Sequence, residues 1–480
     1  PITPETVFHV ASISKQFTAA SILLLAQDGK LSLDDEARKY VPELPDFGPR
    51  ITIRHLLHHT SGLRDQWELL GLAGWRYSLD LITDDDVLSL VARQRDLNFA
   101  PGEKYLYCNT GFTLLAQIVK RVSGQSLREF TTARIFQPLG MKSTHFRDDH
   151  AEIVKRMAYG YVEGRAKGVF ELSVTNFDTV GATSLLTTVE DLAKWDENFY
   201  HPRVGGPALV QQQLRRGILN NGQEIDYAAG LQIGTYRGLP TVGHSGADAG
   251  YRADILRFPE QHFSVACLCN QGETTPAQLT KKVADIYLAR DFQEPPPGQS
   301  EPPVSVSAQR LARYAGTYWE RNDEQLVRLI LRDGKLFAGA LELKAIADNR
   351  FHPVASQVLY TLDGTPDSAP RHLAIQTPGS ARPVVLERIA EFQPTPSQLT
   401  AYAGSYLSSE IDPLYRIDID RDVLVLKRLK SKPERLRPIV PDYFQGLNGV
   451  IHFQRDAAGK ITGFKLDGGR IKNFRFKKTA

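Results

Sequence analysis

Three separated stretches concentrate the residue types able to do chemistry: Ser12-Ile-Ser-Lys15, Tyr107-Cys-Asn109 and His244-Ser-Gly246. Ser12 and Lys15 stand three positions apart at the opening of the apolar run "SKQFTAASILLLAQDG". On a helix this spacing stacks the two side chains on one face. The positive end of the helix dipole favours a developing alkoxide on Ser12. A lysine shielded by apolar neighbours loses its proton more readily and can then activate the hydroxyl as a nucleophile. A helix-capping serine beside a solvated lysine carries the same four letters, so the pair needs support from elsewhere in the chain.

That support comes from the other two stretches. "APGEKYLYCNTGFTLLAQIVKRVSG" sets Tyr107 and Asn109 two residues apart, just ahead of a helical pattern. In extended backbone they point the same way. A phenol there can act in proton transfer, and an amide can bond a substrate carbonyl; a buried tyrosine and a capping asparagine are the plain alternative. In "TVGHSGADAGYRADILRFPE", His244, Ser245 and Gly246 end a short strand, and glycines at 243, 246 and 250 permit close approach of a substrate backbone.

The elements that must hold these residues divide the chain in two. Residues 1–292 mix long helical patterns with late strands ("GYRADILRFPE", "HFSVACLCNQ") and end on the helix "TPAQLTKKVADIYLARDF", striped by Leu279, Val283, Ile286 and Leu288. Segregated helices and strands predict an α+β domain with an antiparallel sheet. Residues 293–308 read as a proline-rich linker. After it, "LARYAGTYW" from Leu311 and "LTAYAGSYL" from Leu399 begin two copies of one module at 309–391 and 397–480. Alternation of period two and the near absence of helical patterning predict a small antiparallel β-barrel or sandwich for each.

Bulk properties exclude several classes. The 480 residues carry 58 basic and 55 acidic side chains, a net charge of +3, which gives no electrostatic case for nucleic acid or anionic membranes. No apolar run approaches the ~20 residues of a membrane-spanning helix. Three cysteines do not make a disulfide framework. Cys267 and Cys269 alternate in what reads as a buried strand. His55, His58 and His59 in "RHLLHHT" have helical spacing, but no His-Glu-x-x-His pattern completes a hydrolytic zinc site, and Thr52 caps the helix they read as. "GHSGA" approaches a nucleophile elbow at Ser245, but a strand follows where that motif requires a helix. No metal or cofactor is expected.

Taken in order, the three motifs resemble those of the class C β-lactamase and penicillin-binding-protein superfamily of serine hydrolases: Ser-x-x-Lys, Tyr-x-Asn, and Lys-Thr-Gly or its His-x-Gly variant in D-aminopeptidases and some esterases. The likeness extends over "FHVASISKQFTAA", "ITIRHLLHHTSGL", "LLTTVEDLAKW" and "ILRFPEQHFSVACLCN". The two trailing modules resemble the three-domain plan of D-aminopeptidases, whose added modules are eight-stranded barrels. The resemblance implies that Ser12 is the acyl-enzyme nucleophile and that Lys15 and Tyr107 share proton transfer. It implies that Asn109 orients the substrate's acyl side and that His244 supports Tyr107. Ser245 and Gly246 would line the substrate strand, and the N–H groups of Ser12 and Ala247 would form the oxyanion hole. It further implies a small-molecule or short-peptide substrate, a periplasmic or secreted location, and allows a homodimer. An esterase, D-aminopeptidase or amidase is expected. β-Lactamase or D-Ala-D-Ala carboxypeptidase activity, and a weakly catalytic penicillin-binding scaffold, are the alternatives. Two departures from the pattern matter: His244 replaces a lysine, and only eleven residues precede Ser12, where the family places strands and a helix.

Overall fold

The computed structural model describes residues 1–77, 79–293, 304–322, 324–353, 358–364, 368–377 and 382–479. Most of the expected linker at 293–308 lies outside the described residues.

The helix Ser14–Gln27 is buried continuously from Ser14 to Leu25. Its run of Ala and Leu without Gly or Pro favours the helix, and an apolar circumference belongs to a helix enclosed on all sides. It packs on the second long helix, Asn109–Ser123, and on Gly206–Leu214. A 3₁₀ turn, Ala11–Ile13, leads into it and carries Ser12.

Beside the helices lies a four-stranded antiparallel sheet with strands in the order Phe263–Cys269, Tyr251–Phe258, Leu239–Asp248, Gln232–Tyr236. The Leu239–Asp248 and Tyr251–Phe258 strands form a hairpin that sets Ser245 opposite Asp254 and Ala247 opposite Arg252. The helix Pro276–Tyr287 covers part of one face.

Two sequence expectations change here. The strand of Cys267 and Cys269 is at the sheet edge and half-buried along its whole length rather than buried. The final helix turns Thr280 and Ala284 inward, whereas Leu279 and Ile286 of the expected apolar stripe are exposed. A polar bond contributes: Thr280 donates its hydroxyl proton to the buried Asp254 carboxylate at 2.6 Å, which helps set the helix rotation.

Both C-terminal modules open on a short helix, Ala308–Tyr314 and Pro396–Tyr402, 88 positions apart. They repeat one internal hydrogen bond: Tyr318 donates to the Tyr314 carbonyl and Tyr406 to the Tyr402 carbonyl. The first module is a closed eight-stranded antiparallel barrel. The second has nine strands in an open order whose two edges, Glu434–Arg435 and Arg437–Val440, flank Leu436. They are two halves of one bent strand, so the chain itself closes the barrel.

The two modules differ in how they are held. The first has its own core around Tyr314, Tyr318, Leu343 and Phe351. The buried residues of the second, including Tyr406, Tyr415, Phe464 and Phe474, are continuous with the core of the helical body. Tyr415 donates to the Leu72 carbonyl at 2.7 Å, and the fully buried Arg64 pairs with Glu410 at 2.5 Å. Burial at ~25 cal/mol per Å² makes such a shared core a large stabilising term. The second barrel is therefore part of the body that carries the three motifs.

Candidate active site

Lys15 is completely buried, and its Nζ has three close oxygen neighbours: Ser12 Oγ at 2.9 Å, Asn109 Oδ1 at 2.8 Å and the Ala182 carbonyl at 2.6 Å. Burial drives its pKa down to about 7; Arg470 nearby lowers it further, opposed by Asp65 and Asp248. A neutral amine has two N–H bonds and one lone pair. The two carbonyl oxygens can only accept, so they occupy both N–H bonds and leave the lone pair facing the Ser12 hydroxyl. Ser12 makes no capping bond to the helix. The residue before it, Ala11, sits in left-handed backbone at φ 48°, held by its N–H on His9 Nδ1 at 3.2 Å and by Ser14 Oγ on its carbonyl at 2.5 Å. Strain of this kind at a reactive turn has to be held by its surroundings.

Tyr107 and Asn109 both face this cleft. The Tyr107 hydroxyl is buried without a well-formed hydrogen bond. Burial holds its pKa far above the usual phenol value, with the adjacent Ser12 pulling the other way. The Lys15 ammonium position is 4.9 Å from the ring centroid. The His59 ring packs tilted against Tyr107 with centroids 4.2 Å apart, and its Nδ1 accepts the Cys108 N–H, which gives it a structural place beside the cleft.

His244 differs from its expected role. Its Nδ1 donates to the Ser245 carbonyl at 2.6 Å, so Nε2 is the acceptor and receives the Tyr227 hydroxyl at 3.0 Å. The support expected for Tyr107 goes to Tyr227 instead, and the Tyr107 and His244 rings stand 6.1 Å apart. Burial, with Lys15 nearby, drops the His244 pKa to about 3, which keeps the ring neutral.

Gly246 is pressed against the nucleophile turn: a Cβ there would fall 2.3 Å from the Val10 carbonyl oxygen and 3.2 Å from the Ser12 nitrogen. Only glycine lets this strand lie close enough to bring the Ala247 and Ser12 backbones to one cleft. The Ser245 hydroxyl donates to Asp254 at 2.5 Å. Next along the strand, Asp248 is buried with its pKa raised to about 7 by loss of hydration, and it accepts the Thr183 hydroxyl.

Sequence reasoning missed several groups. Asp65, fully buried, accepts the backbone N–H of Asn109 at 2.6 Å and its Nδ2 at 2.9 Å. Trp67 and Tyr77 give the cleft an aromatic wall, with ring centroids 5.3 Å apart. Arg470 reaches the cleft from the second barrel, at the tip of the hairpin formed by Ile461–Gly468 and Ile471–Thr479. The volume is about 910 Å³, room for a small molecule or short peptide. Among the described residues the cluster able to hold a metal is Asp149, His150 and Asp178, none of which lines this cleft.

With this geometry in view, residues 1–289 match the family model described as Beta-lactamase. The chain belongs to the beta-lactamase family of serine hydrolases. It is 31% identical over 333 residues to penicillin-binding protein 4* of Bacillus subtilis (strain 168), covering 66% of this chain and 73% of that protein. It is 27% identical over 487 residues to a D-aminopeptidase of Brucella canis, covering 96% and 87%. Among solved structures, the octameric penicillin-binding protein homologue from Pyrococcus abyssi superposes with a TM-score of 0.56 at 24% identity, over 89% of this chain and 87% of that one. This likeness shows that the fold, barrel modules included, is shared. Among the described residues no helix is long and apolar enough to cross a membrane.

Proposed function

We propose that this hydrolase cleaves small amides or esters through an acyl-enzyme on Ser12, with D-amino-acid amides and short D-peptides as its substrate class. The observation that carries the reading is the fully buried Lys15 Nζ standing 2.9 Å from Ser12 Oγ, where burial lowers its pKa to about 7 and so makes the proton-accepting form accessible at neutral pH. Lys15 takes the Ser12 proton as Oγ bonds to the carbonyl carbon. The N–H groups of Ser12 and Ala247 receive the oxyanion. Tyr107, neutral in the resting site, relays the proton from Lys15 to the departing amine or alcohol. Water then attacks the acyl-enzyme by the reverse route.

The amidase or peptidase type is supported by relatives named D-aminopeptidase that align along 96% of the chain, both barrels included. The neutral, internally bonded His244 weighs against substrates anchored by a carboxylate, because a charge-assisted contact needs a cation at that position. The aromatic wall of Trp67 and Tyr77 suits an apolar side chain on the acyl group.

Fluorophosphonate labelling tests the nucleophile. Stoichiometric modification of the full chain is expected, and it should vanish in Ser12→Ala. Labelling that persists there, or moves to Ser245, rejects the assignment. Substrate class is then decided by kcat/KM for a D-alanine amide, p-nitrophenyl acetate and a chromogenic cephalosporin. A cephalosporin hydrolysed best would support the β-lactamase alternative.

A further inference from the structure

We propose that Arg470, at the hairpin tip of the second barrel, is a positioning residue for the catalytic lysine, acting through Asp65 and Asn109. The proposal rests on the reading of Lys15 as the base for Ser12.

An unbroken chain of polar contacts joins them. Arg470 Nη1 is 3.3 Å from Asp65 Oδ2. That same oxygen accepts both N–H groups of Asn109, at 2.6 and 2.9 Å. Asn109 Oδ1 faces Lys15 Nζ at 2.8 Å, and Nζ faces Ser12 Oγ. The backbone locks the tip in place: the Arg470 carbonyl accepts from Asp65 N at 3.4 Å and from Asn98 Nδ2 at 3.0 Å.

The charge on Asp65 decides which way the Asn109 amide points. A carboxylate accepts only, so Nδ2 must face Asp65 and Oδ1 must face Lys15. A flipped amide would direct an N–H at Lys15 and compete with Ser12 for its lone pair. Asp65 is wholly buried, and burying a charged group is costly unless hydrogen bonds and an opposite charge face it. Arg470 supplies that counter-charge, with Glu68 also near its guanidinium at 3.9 Å.

Arg470 also acts on Lys15 directly. The groups facing Lys15 are Asp65 and Asp248, which favour its ammonium form, and Arg470, which opposes it. Its other titratable neighbours are the Cys108 thiol, held protonated by burial, neutral His59 and His244, and the neutral Tyr107 phenol. Arg470 is thus the permanent cation among these groups. Its loss leaves Asp65 to hold the proton on Lys15 at neutral pH and removes one of the contacts that fix Asp65 against the Asn109 amide. Both effects slow the attack by Ser12.

The test follows the rate of Ser12 labelling by a fluorophosphonate against pH in the full chain. Arg470→Met should slow labelling about tenfold at neutral pH and move the midpoint of the rate profile alkaline by about one unit, the size of a nearby-charge effect. Arg470→Lys should restore the midpoint. Arg470→Gln serves if the Met variant does not fold, which thermal melts report. Asp65→Asn should slow labelling at every pH, because the amide then loses its orientation. An unchanged rate and midpoint in Arg470→Met overturns the proposal. So does a raised KM for carboxylate-bearing substrates alone, which would make Arg470 a binding group. Loss of the Ser12 assignment itself would appear separately, as labelling that survives Ser12→Ala in the otherwise unaltered chain.

Discussion

Lys15 Nζ lies 2.9 Å from Ser12 Oγ while no part of the lysine reaches solvent. In the proposed mechanism the pair is a base and nucleophile set before substrate arrives. Because the folded pKa of Lys15 is lowered to about 7, the neutral, proton-accepting form prevails above that pH. Acylation should therefore rise as pH increases through about 7 and then level off. The sign for stability is the same. The unfolded lysine keeps its proton to about 10.5, so between the two values the unfolded chain binds more protons and this group favours folding increasingly with pH. Urea unfolding of the native chain and of Lys15→Met at matched pH isolates that difference. A rate profile flat across neutrality would remove Lys15 from the base role.

Tyr107→Phe removes one oxygen and keeps the ring against His59 at 4.2 Å. General acid–base groups contribute about 10²–10⁴ in rate, and a loss in kcat of that order is expected with KM nearly unchanged. Since burial holds the phenol protonated, the variant should keep the wild-type pH midpoint. A midpoint that moves with Tyr107→Phe would mean that the tyrosine, and not Lys15, titrates in the profile.

Gly246→Ala tests the close approach of strand and nucleophile turn. The new methyl would overlap the Val10 carbonyl, which is backbone and cannot swing aside. Overpacking costs about 1–3 kcal/mol and here must also displace the Ser12 and Ala247 N–H groups. Loss of one oxyanion donor alone costs about 10²–10³ in kcat. The expected result is a lowered melting temperature together with a larger loss in kcat than in KM. Wild-type turnover in this variant would mean that the strand has room to move.

The site was legible in sequence only where its geometry is local. Ser12, on the 3₁₀ turn, and Lys15, in the first turn of the helix that follows, are three residues apart, and Tyr107 and Asn109 are two residues apart, so short spacing brings each pair together. The repeat at Leu311 and Leu399 announced two related barrels because every strand pairs within its own module. Arg470 and Asp65 meet only because the second barrel shares the core of the helical body, a contact spanning most of the chain with no motif to mark it. The partner of His244 was hidden for a similar reason. Tyr227 precedes the strand and carries no pattern of its own, so the resemblance pointed to Tyr107. The final helix forms where its pattern predicts, but of the apolar stripe only Leu288 is buried while Leu279 and Ile286 are exposed, and the polar bond from Thr280 to Asp254 contributes to that rotation.

The same shared core makes the second barrel a requirement for stability, and Glu410 is where that can be measured. Its Oε2 accepts from Arg64 Nη1 at 2.5 Å and from the Arg95 N–H at 2.9 Å. Arg64 is fully buried and also donates to Gln94 and to the Lys472 and Asn473 carbonyls. Glu410→Ala leaves that guanidinium without its counter-charge. Breaking a buried pair from one side costs about 3–5 kcal/mol, far above a surface ion pair. The damage should reach the active site, because the Arg64 carbonyl accepts from Thr110 at 2.7 Å and the next residue is Asp65. Glu410→Ala is therefore expected to unfold at lower urea and to lose activity together. Replacing both partners, Arg64→Met with Glu410→Leu, should recover much of the stability, since the buried charge is then gone. An unchanged urea midpoint in Glu410→Ala would show that the barrel is held to the body by other contacts.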